Sequence, residues 1–354
     1  MKSLWAEHKK KILIALAVAV VVVGAAGAWY LGTRPADEPQ EITSAWPSAQ
    51  SERVIEQPEE PVRWPLTGED ATSPEEPANT RVLSVKIENS PSARPQSGLD
   101  HADIIYESLT EGGITRFNAL FHSRVPEIIG PVRSARMSDT QIIPQYSALF
   151  AHSGANTGVL SRIRDAGLEV VDHSSAPAAY RRVSFRSAPH NLYLDPVRVR
   201  EIGVSRGYSA TQELKGLQFS SSVDSDQAAT GLTVPFSPAN RVTWDYDANS
   251  GLYLRSNNGQ AHLDRESGAR YSARNVVVLW AQTSATGPAR TLEIALVGEG
   301  EAAIFRDGVR IDGTWSAGAS APPVLRDSEG SLIRLAPGNT WFQVVPPDVS
   351  IDVR

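Results

Sequence analysis

The feature that most constrains this chain is a long, uncharged, apolar run near its N-terminus. Residues 12–31 form a stretch of twenty amino acids without a charged side chain. A helix of that length, rising about 1.5 Å per residue, crosses a hydrocarbon core of about 30 Å. Lys9, Lys10 and Lys11 precede the run, which predicts that the short N-terminus stays in the cytoplasm. Residues 1–34 are therefore predicted to be a basic tip followed by a single-pass membrane anchor.

The same run has an alternative interpretation as a secretory signal peptide that is removed. Ala26 and Ala28 form an A-x-A-like cleavage site. The run is longer than the apolar region typical of a signal peptide, which favours an uncleaved anchor. Under either interpretation, the rest of the chain crosses the membrane and is extracytoplasmic.

Charge and composition exclude several classes of function. The formal net charge is -6, yet residues 35–80 hold eleven acidic side chains against two arginines, so the part from Arg81 onward is nearly neutral. No basic block indicates nucleic acid as a partner. The chain contains no cysteine, which excludes disulfides, thiolate catalysis and a lipid-modified N-terminal Cys. No motif predicts a cofactor or a metal site.

Apolar patterning divides the remainder into a linker and a folded part. Residues 35–80 contain eight prolines and many acids, a composition that predicts an extended linker. Beyond it, strand-like and helical segments alternate, which predicts an α/β (or α+β) first domain over residues 81–225. The strand-like segments are 82–87, 102–109, 115–123 and 149–152, and the helical ones are 138–146 and 158–166.

Residues 226–354 are predicted to form a smaller, β-rich second domain. Asp-Gly between apolar runs is a strong hairpin signal, and it occurs at positions 307–308 and again at 312–313. Trp244 is expected in the core of a sheet. Trp315 and Trp341 lie near predicted turns, which makes them candidates for exposed rings that stack on sugars.

Several motifs of both domains resemble those of a known bacterial family. VKIENSPSARPQSGLDHADIIYESLTEGGITRFNALFHS is followed by IGPVRSARMSD, FAHSGAN and SAPHNLY. These runs resemble the YerB-like bacterial lipoprotein family, which is catalogued as a domain of unknown function. GEAAIFRDGVRIDGTW and PGNTWFQVVPP resemble the smaller C-terminal domain that is usually paired with it. The resemblance implies a two-domain bacterial envelope protein without an established activity. This chain departs from the lipoprotein members because it has no lipobox Cys, so its expected tether is the helix.

Polar side chains accumulate where the predicted strands of the first domain end. Strand ends and loops are common positions for ligand sites. The candidate ligand-binding residues are Glu88, Asn89, Arg94, Glu107, Glu111, Thr115, Arg116, His122, Arg133, Ser134, Arg136, His152, Ser153, His190 and Asn191.

The arginines of this set have two possible roles. Arg133 and Arg136 follow a Gly-Pro turn, where their guanidinium forks favour a bound carboxylate or phosphate. The alternative is that both arginines form internal ion pairs with Glu88, Glu107 or Glu111. One site can combine the two roles.

Metal binding and nucleophilic catalysis have weaker support. His122, His152 and His190 are widely separated, and no HExxH or HxH spacing indicates a shared metal ion. Ser134 and Ser153 lack the GxSxG pattern of a nucleophile elbow. Neither chemistry is complete in the sequence.

A pair of carboxylates is a further candidate for catalysis. Glu107 and Glu111 are four residues apart, so on a continuous strand both side chains face the same side. Two carboxylates on one face can act as acid and base on a glycan. The same spacing also suits a solvated face.

Three functions are therefore compatible with the sequence. The first is a membrane-anchored envelope protein that binds a cell-wall component or a partner enzyme through the polar candidates. The second is a hydrolase acting on a cell-wall glycan, peptide or phosphorylated envelope polymer. The third is that the polar set is only a buried ion-pair network that specifies the fold. The first is favoured because no pattern completes a catalytic mechanism.

Overall fold

The computed structural model describes residues 61–73, 75–215, 217–286 and 291–354. The predicted anchor and the first part of the predicted linker lie outside these residues. Across the described ranges, no helix is long and apolar enough to cross a membrane.

The described chain is rich in β-structure and contains few helices. The helices are α1 (Glu75–Asn79), α2 (Asp139–Gln145), α3 (Thr157–Asp165) and α4 (Pro196–Ser205). The strands of the first half are β1 (Leu83–Glu88), β2 (Ile104–Leu109), β3 (Thr115–Phe121), β4 (Leu149–Ala151), β5 (Tyr180–Arg182) and β6 (Leu192–Leu194).

Thirteen further strands follow in the second half, where helices are absent from the described residues. They are β7 (Gly231–Ser237), β8 (Asn240–Asp247), β9 (Leu252–Asn257), β10 (Gln260–Ala261), β11 (Ser272–Ala273), β12 (Asn275–Trp280), β13 (Thr283–Thr286), β14 (Thr291–Ile294), β15 (Gly298–Arg306), β16 (Val309–Ala317), β17 (Val324–Arg326), β18 (Thr340–Val345) and β19 (Asp352–Val353).

A nine-stranded mixed sheet joins the two halves of the sequence. Its strand order is β17-β16-β15-β12-β18-β2-β3-β1-β4. The late strand β18 is parallel to both β12 and β2, so Trp341 pairs with Ile105 across more than two hundred residues of sequence. The strands on either side of the expected domain boundary at residue 225 therefore share one sheet.

Both faces of this sheet are covered, which accounts for the burial of every residue of β1, including the polar Ser84, Lys86 and Glu88. On one face lies a six-stranded sheet of order β10-β9-β8-β7-β19, with β11 added to β9. Val85 and Phe117 share a core with Val234 on that side. On the other face, Ile142 of α2 and Val159 of α3 belong to a second core.

Side chains at the helix N-termini explain where two of the helices begin. Asn156 precedes α3, and its side chain accepts a hydrogen bond from the Val159 amide at 2.9 Å. Asp195 does the same for the Arg198 amide at 3.0 Å, and Pro196 occupies the first position of α4. Such caps satisfy amide groups that have no partner within the helix.

One of the two predicted Asp-Gly hairpins is confirmed and the other is wrong. Asp307 and Gly308 both have positive φ (52° and 76°) and connect β15 to β16, as a two-residue hairpin requires. Asp312 and Gly313 instead lie within β16. A Cβ at position 313 would lie 2.1 Å from the carbonyl oxygen of Arg326 on β17, so this glycine permits close strand approach rather than a turn.

The second part of the predicted linker packs onto the folded body. Leu66 and Thr67 are fully buried, and the Trp64 ring packs edge-on against His122 with centroids 4.8 Å apart. Leu66 therefore belongs to the core, although the composition of this segment predicts an extended spacer.

The prediction that Trp315 and Trp341 are exposed is wrong. Each is 1% exposed. The Trp315 indole donates a hydrogen bond to the carbonyl of Trp280 at 3.0 Å, and Trp341 packs 5.1 Å from Trp244. Trp244 itself is buried, as predicted. Strand pairing that the local sequence does not indicate covers both rings.

Candidate functional site

The candidate residues separate onto the two faces of the nine-stranded sheet. Side chains alternate along a strand, so Lys86 and Glu88 of β1 share one face. Lys86 contacts Asp139 of α2, which identifies this as the helix-covered face. Glu107 of β2 faces the six-stranded sheet, where it contacts Arg255 of β9.

The first set is a buried polar network between the two sheets. Glu107 and Arg255 are both fully buried, and Glu107 Oε1 accepts a hydrogen bond from Arg255 Nη2 at 3.0 Å. The same oxygen also accepts from Thr115 Oγ1 at 2.7 Å and from Asn89 Nδ2 at 3.2 Å. We call this the inter-sheet network.

Arg94 and two further asparagines extend the inter-sheet network into a closed ring of hydrogen bonds. Arg94 Nε donates to Asn89 Oδ1 at 2.9 Å, and Arg94 Nη1 donates to Asn257 Oδ1 at 2.5 Å. Asn257 in turn donates to Asn240 at 2.6 Å, and Asn240 donates to Thr115 at 3.0 Å. Asn89, Arg94, Glu107 and Thr115 thus hold the sheets together.

Arg255 is fixed by aromatic rings and by a neutral histidine. Its guanidinium carbon lies 4.9 Å from the Trp341 ring and 5.4 Å from the Trp244 ring. Arg255 Nε donates to His262 Nδ1 at 3.0 Å, so the proton of this imidazole is on Nε2, which donates to Gln96 Oε1 at 2.7 Å. Burial holds the pKa of His262 well below its usual value.

The second set lies on the opposite face, and we call it the arginine cluster. It comprises Glu88, Glu111, Arg116, Arg133, Arg136 and His190. Glu88 is 2% exposed, and its Oε1 lies 2.9 Å from His190 Nδ1. Its Oε2 is 3.3 Å from Arg133 Nε, within ion-pair range but without hydrogen-bond geometry.

The other arginines of the cluster are held by Glu111 and by the backbone. Arg136 donates from Nε to Glu111 Oε2 at 2.8 Å, and its Nη2 lies 2.7 Å from the same oxygen. Arg116 Nη1 donates to the carbonyl of Ser134 at 2.9 Å. Arg116 is 6% exposed, and its Nε has no hydrogen-bond partner among the described residues.

The arginine cluster carries more positive than negative charge. Three guanidiniums face only two carboxylates. Burial, followed by repulsion from Arg136 and Arg133, lowers the pKa of Arg116 to about 10. The side chains of Arg133 and Arg136 are 24% and 17% exposed, so the cluster reaches solvent. An anion placed there would relieve the repulsion and accept from the free Nε.

A buried ion pair fixes the loop that carries Arg133 and Arg136. Lys86 Nζ donates to Asp139 Oδ1 at 2.7 Å, with both side chains inaccessible. Asp139 also accepts from Asn118 Nδ2 at 3.0 Å and from the backbone amide of Arg136 at 2.6 Å. Buried hydrogen bonds to Asp139 therefore hold the loop that positions the guanidiniums of Arg133 and Arg136.

Histidines 122, 152 and 190 lie in different surroundings. His122 Nε2 is 2.9 Å from the carbonyl of Thr80, and burial lowers the pKa of His122 to about 4. His152 is buried with Nδ1 3.1 Å from the carbonyl of Gly154, and His190 belongs to the arginine cluster. Across the described ranges, no three His, Asp or Glu side chains are grouped to hold a metal ion.

The remaining candidates support the cluster through backbone or amide groups. The Ser153 amide donates to the carbonyl of Arg133 at 2.9 Å. Asn191, beside His190, accepts from Arg182 Nη1 at 2.7 Å. Ser134 contributes the carbonyl that holds Arg116.

The prediction that Glu107 and Glu111 share one strand face is wrong. β2 ends at Leu109, and Glu111 lies in a 3-10 turn beyond it. Glu107 is enclosed in the inter-sheet network, whereas Glu111 pairs with Arg136 on the other side of the sheet. The two carboxylates cannot act together on one glycosidic bond.

Sequence reasoning missed Arg255, His262, Gln96, Asn240 and Asn257. All five are buried although polar. A buried polar side chain is informative, but its burial depends on strand pairing that these residues do not reveal individually. The available signal was that Arg255 directly follows the apolar residues 252–254 in β9.

The fold is β-rich, with one sheet shared by the two halves of the sequence, and the site is a partly exposed arginine cluster. The family model described as "Protein of unknown function (DUF3048) N-terminal domain" matches residues 66–209, and the one described as the DUF3048 C-terminal domain matches residues 232–342. The chain belongs to this YerB-like two-domain family.

Two comparisons with individual proteins agree with that assignment. A protein of Bacillus subtilis (strain 168) named "Putative lipoprotein YerB" is 29% identical over 305 residues, covering 84% of this chain and 91% of its own length. The crystal structure of the YerB protein from Bacillus subtilis matches with a TM-score of 0.75 and 29% identity, covering 82% of this chain and 99% of that chain.

Proposed function

We propose that this protein is a membrane-tethered, extracytoplasmic envelope protein that binds a carboxylate or phosphate of a cell-wall component. The binding surface is the arginine cluster. The Bacillus relative is named as a lipoprotein, and the uncharged run at residues 12–31 supports a helical tether in this chain, which has no cysteine.

The observation that carries the proposal is the unbalanced charge around Arg116. Its Nε is buried and has no partner within the described residues, while Arg133 and Arg136 lie close enough to repel it. Guanidinium forks match the geometry of carboxylates and phosphates. A bound anion supplies both the missing acceptor and the missing negative charge.

Binding is favoured over hydrolysis by the state of the carboxylates. Glu107 is closed inside the inter-sheet network, Glu88 contacts Arg133 and His190, and Glu111 contacts Arg136. A general acid or base must reach its substrate, and these groups are occupied by cations.

Retention on purified cell-wall material tests the proposal. The full chain in detergent micelles is incubated with wall sacculi, before and after removal of covalently attached anionic polymers. Arg133→Gln and Arg136→Gln are expected to reduce retention at least several-fold. Arg198→Gln is the matched control, because Arg198 is an exposed arginine paired with Glu201 on α4. Equal retention of all variants would overturn the proposal.

A further inference from the structure

A second guanidinium with free donors lies beyond the arginine cluster. Arg265 Cζ is 3.6 Å from the centre of the Phe185 ring. Its nearest carboxylate is that of Glu266, at 4.0 Å from Nε, and its guanidinium makes no hydrogen bond to any described residue. An aromatic ring therefore positions this arginine, which leaves its N–H groups available.

Phe185 itself is exposed yet firmly held. Its side chain is 45% exposed, and its ring packs edge-on against Tyr193 with centroids 5.8 Å apart. The neighbouring Arg186 donates to the carbonyls of Ala93 and Pro95, which fixes the loop to the body. An exposed ring on a fixed loop is a preorganised contact surface.

The same loop connects this surface to the arginine cluster. Phe185 and His190 are five residues apart, so their Cα atoms are separated by at most about 18 Å. Arg182, exposed on β5 just before the loop, donates to Asn191 beside His190. Two exposed guanidiniums, those of Arg182 and Arg265, thus contact the hairpin that carries His190, and the carboxylate of Glu266 lies beside the second.

We propose that Arg265, stacked on Phe185, is a second anion subsite, and that the ligand is a polymer with repeated phosphate or carboxylate groups. This inference rests on the proposed function and narrows it. The arginine cluster takes one anionic group of the polymer and Arg265 takes another. A single small anion fills only the first subsite.

A comparison of monomeric and polymeric probes tests the inference on the full chain. Orthophosphate, long-chain polyphosphate and polygalacturonate are titrated by calorimetry, so that phosphate and carboxylate polymers are separate arms. We expect one of the polymers to bind at least tenfold more tightly than orthophosphate. Arg265→Gln is expected to reduce polymer affinity several-fold, to leave orthophosphate affinity unchanged, and to lower the salt dependence by about one ion.

Controls separate this inference from the proposed function. Arg241→Gln removes an exposed arginine that pairs with Asp352 and should change neither affinity. Loss of orthophosphate binding in Arg133→Gln, together with unchanged polymer binding in Arg265→Gln, overturns the second subsite alone. Unchanged binding of every probe in Arg133→Gln overturns both. Phe185→Ala should weaken polymer binding as Arg265→Gln does, because the guanidinium loses its support.

Discussion

Glu107→Gln removes one negative charge from the inter-sheet network and keeps the size of the side chain. The amide oxygen of Gln can still accept from Asn89 and Thr115, so those hydrogen bonds persist. Arg255 remains fully buried with its charge uncompensated. Removing one partner of a buried pair costs about 3–5 kcal/mol of unfolding free energy. Glu107 Oε2 and Arg255 Nη1 make no hydrogen bond to described residues, so a single hydrogen bond joins the two side chains. We therefore expect a loss of unfolding free energy at the lower end of this range, about 3 kcal/mol.

Chemical and thermal unfolding followed by circular dichroism measure this change. The thermal midpoint should fall by roughly 6 °C, at about 2 °C per kcal/mol for a unit of this size. Glu111→Gln is the matched control, because its pair with Arg136 is partly exposed and should contribute at most about 1 kcal/mol. The double variant Glu107→Gln/Arg255→Gln should be more stable than additivity of the single variants predicts, by about 2 kcal/mol.

A loss below about 1 kcal/mol in Glu107→Gln would refute this reasoning. It would mean that the charge of Arg255 is neutralised by something other than Glu107. Since the inter-sheet network and the arginine cluster occupy opposite faces of the sheet, folded Glu107→Gln protein should also keep its retention on wall material. Loss of retention without loss of stability would place Glu107 in the binding site instead.

Three further outcomes follow from individual side chains. In the folded protein the pKa of His122 is lowered to about 4, so as the pH falls below about 6.5 the unfolded state binds a proton that the folded state does not. The stability advantage of the wild type over His122→Asn should therefore shrink by about 3 kcal/mol between pH 7 and pH 4. A difference in urea melts that does not change with pH would contradict this. Gly313→Ala should lower the melting temperature of the protein, because the added Cβ would collide with the backbone of Arg326. Gly318→Ala should leave the melting temperature unchanged, because the space around Gly318 is open. Equal melting temperatures of the two variants would refute the steric argument. Asp195→Ala should remove the cap of α4 and reduce stability by about 1 kcal/mol, with Asp195→Asn as the conservative control that restores it.

Local patterns predicted many elements but not how they combine. β1, β3 and α3 follow from apolar runs of the right period, and the hairpin at Asp307 follows from turn chemistry. In β7, Pro235 interrupts the strand pattern. Helix α4 was missed although Asp195 and Pro196 together form a helix-start signal.

The candidate site could be predicted only as a set of residues. Glu88 follows one predicted strand and Glu107 lies in another. The residues around them do not reveal that the two side chains lie on opposite faces of one sheet. That separation depends on the register of β3 with its neighbours, which places Glu88 opposite Arg116 and Glu107 opposite Phe117. The partner of Glu107, Arg255, comes from β9 in the other sheet. Long-range pairing of this kind has no local signal, so internal ion pairs and a ligand site could not be told apart from sequence. The structure shows internal ion pairs in both polar sets, and the arginine cluster carries the proposed ligand site.

The arginine cluster is proposed to bind an anionic group. A crystal structure with a phosphate-bearing wall fragment bound is the decisive measurement of this binding. We expect an anion oxygen within about 3 Å of Arg116 Nε, with Arg133 or Arg136 donating to the same group. A fragment bound elsewhere, with Arg116 Nε still unpartnered, would contradict it.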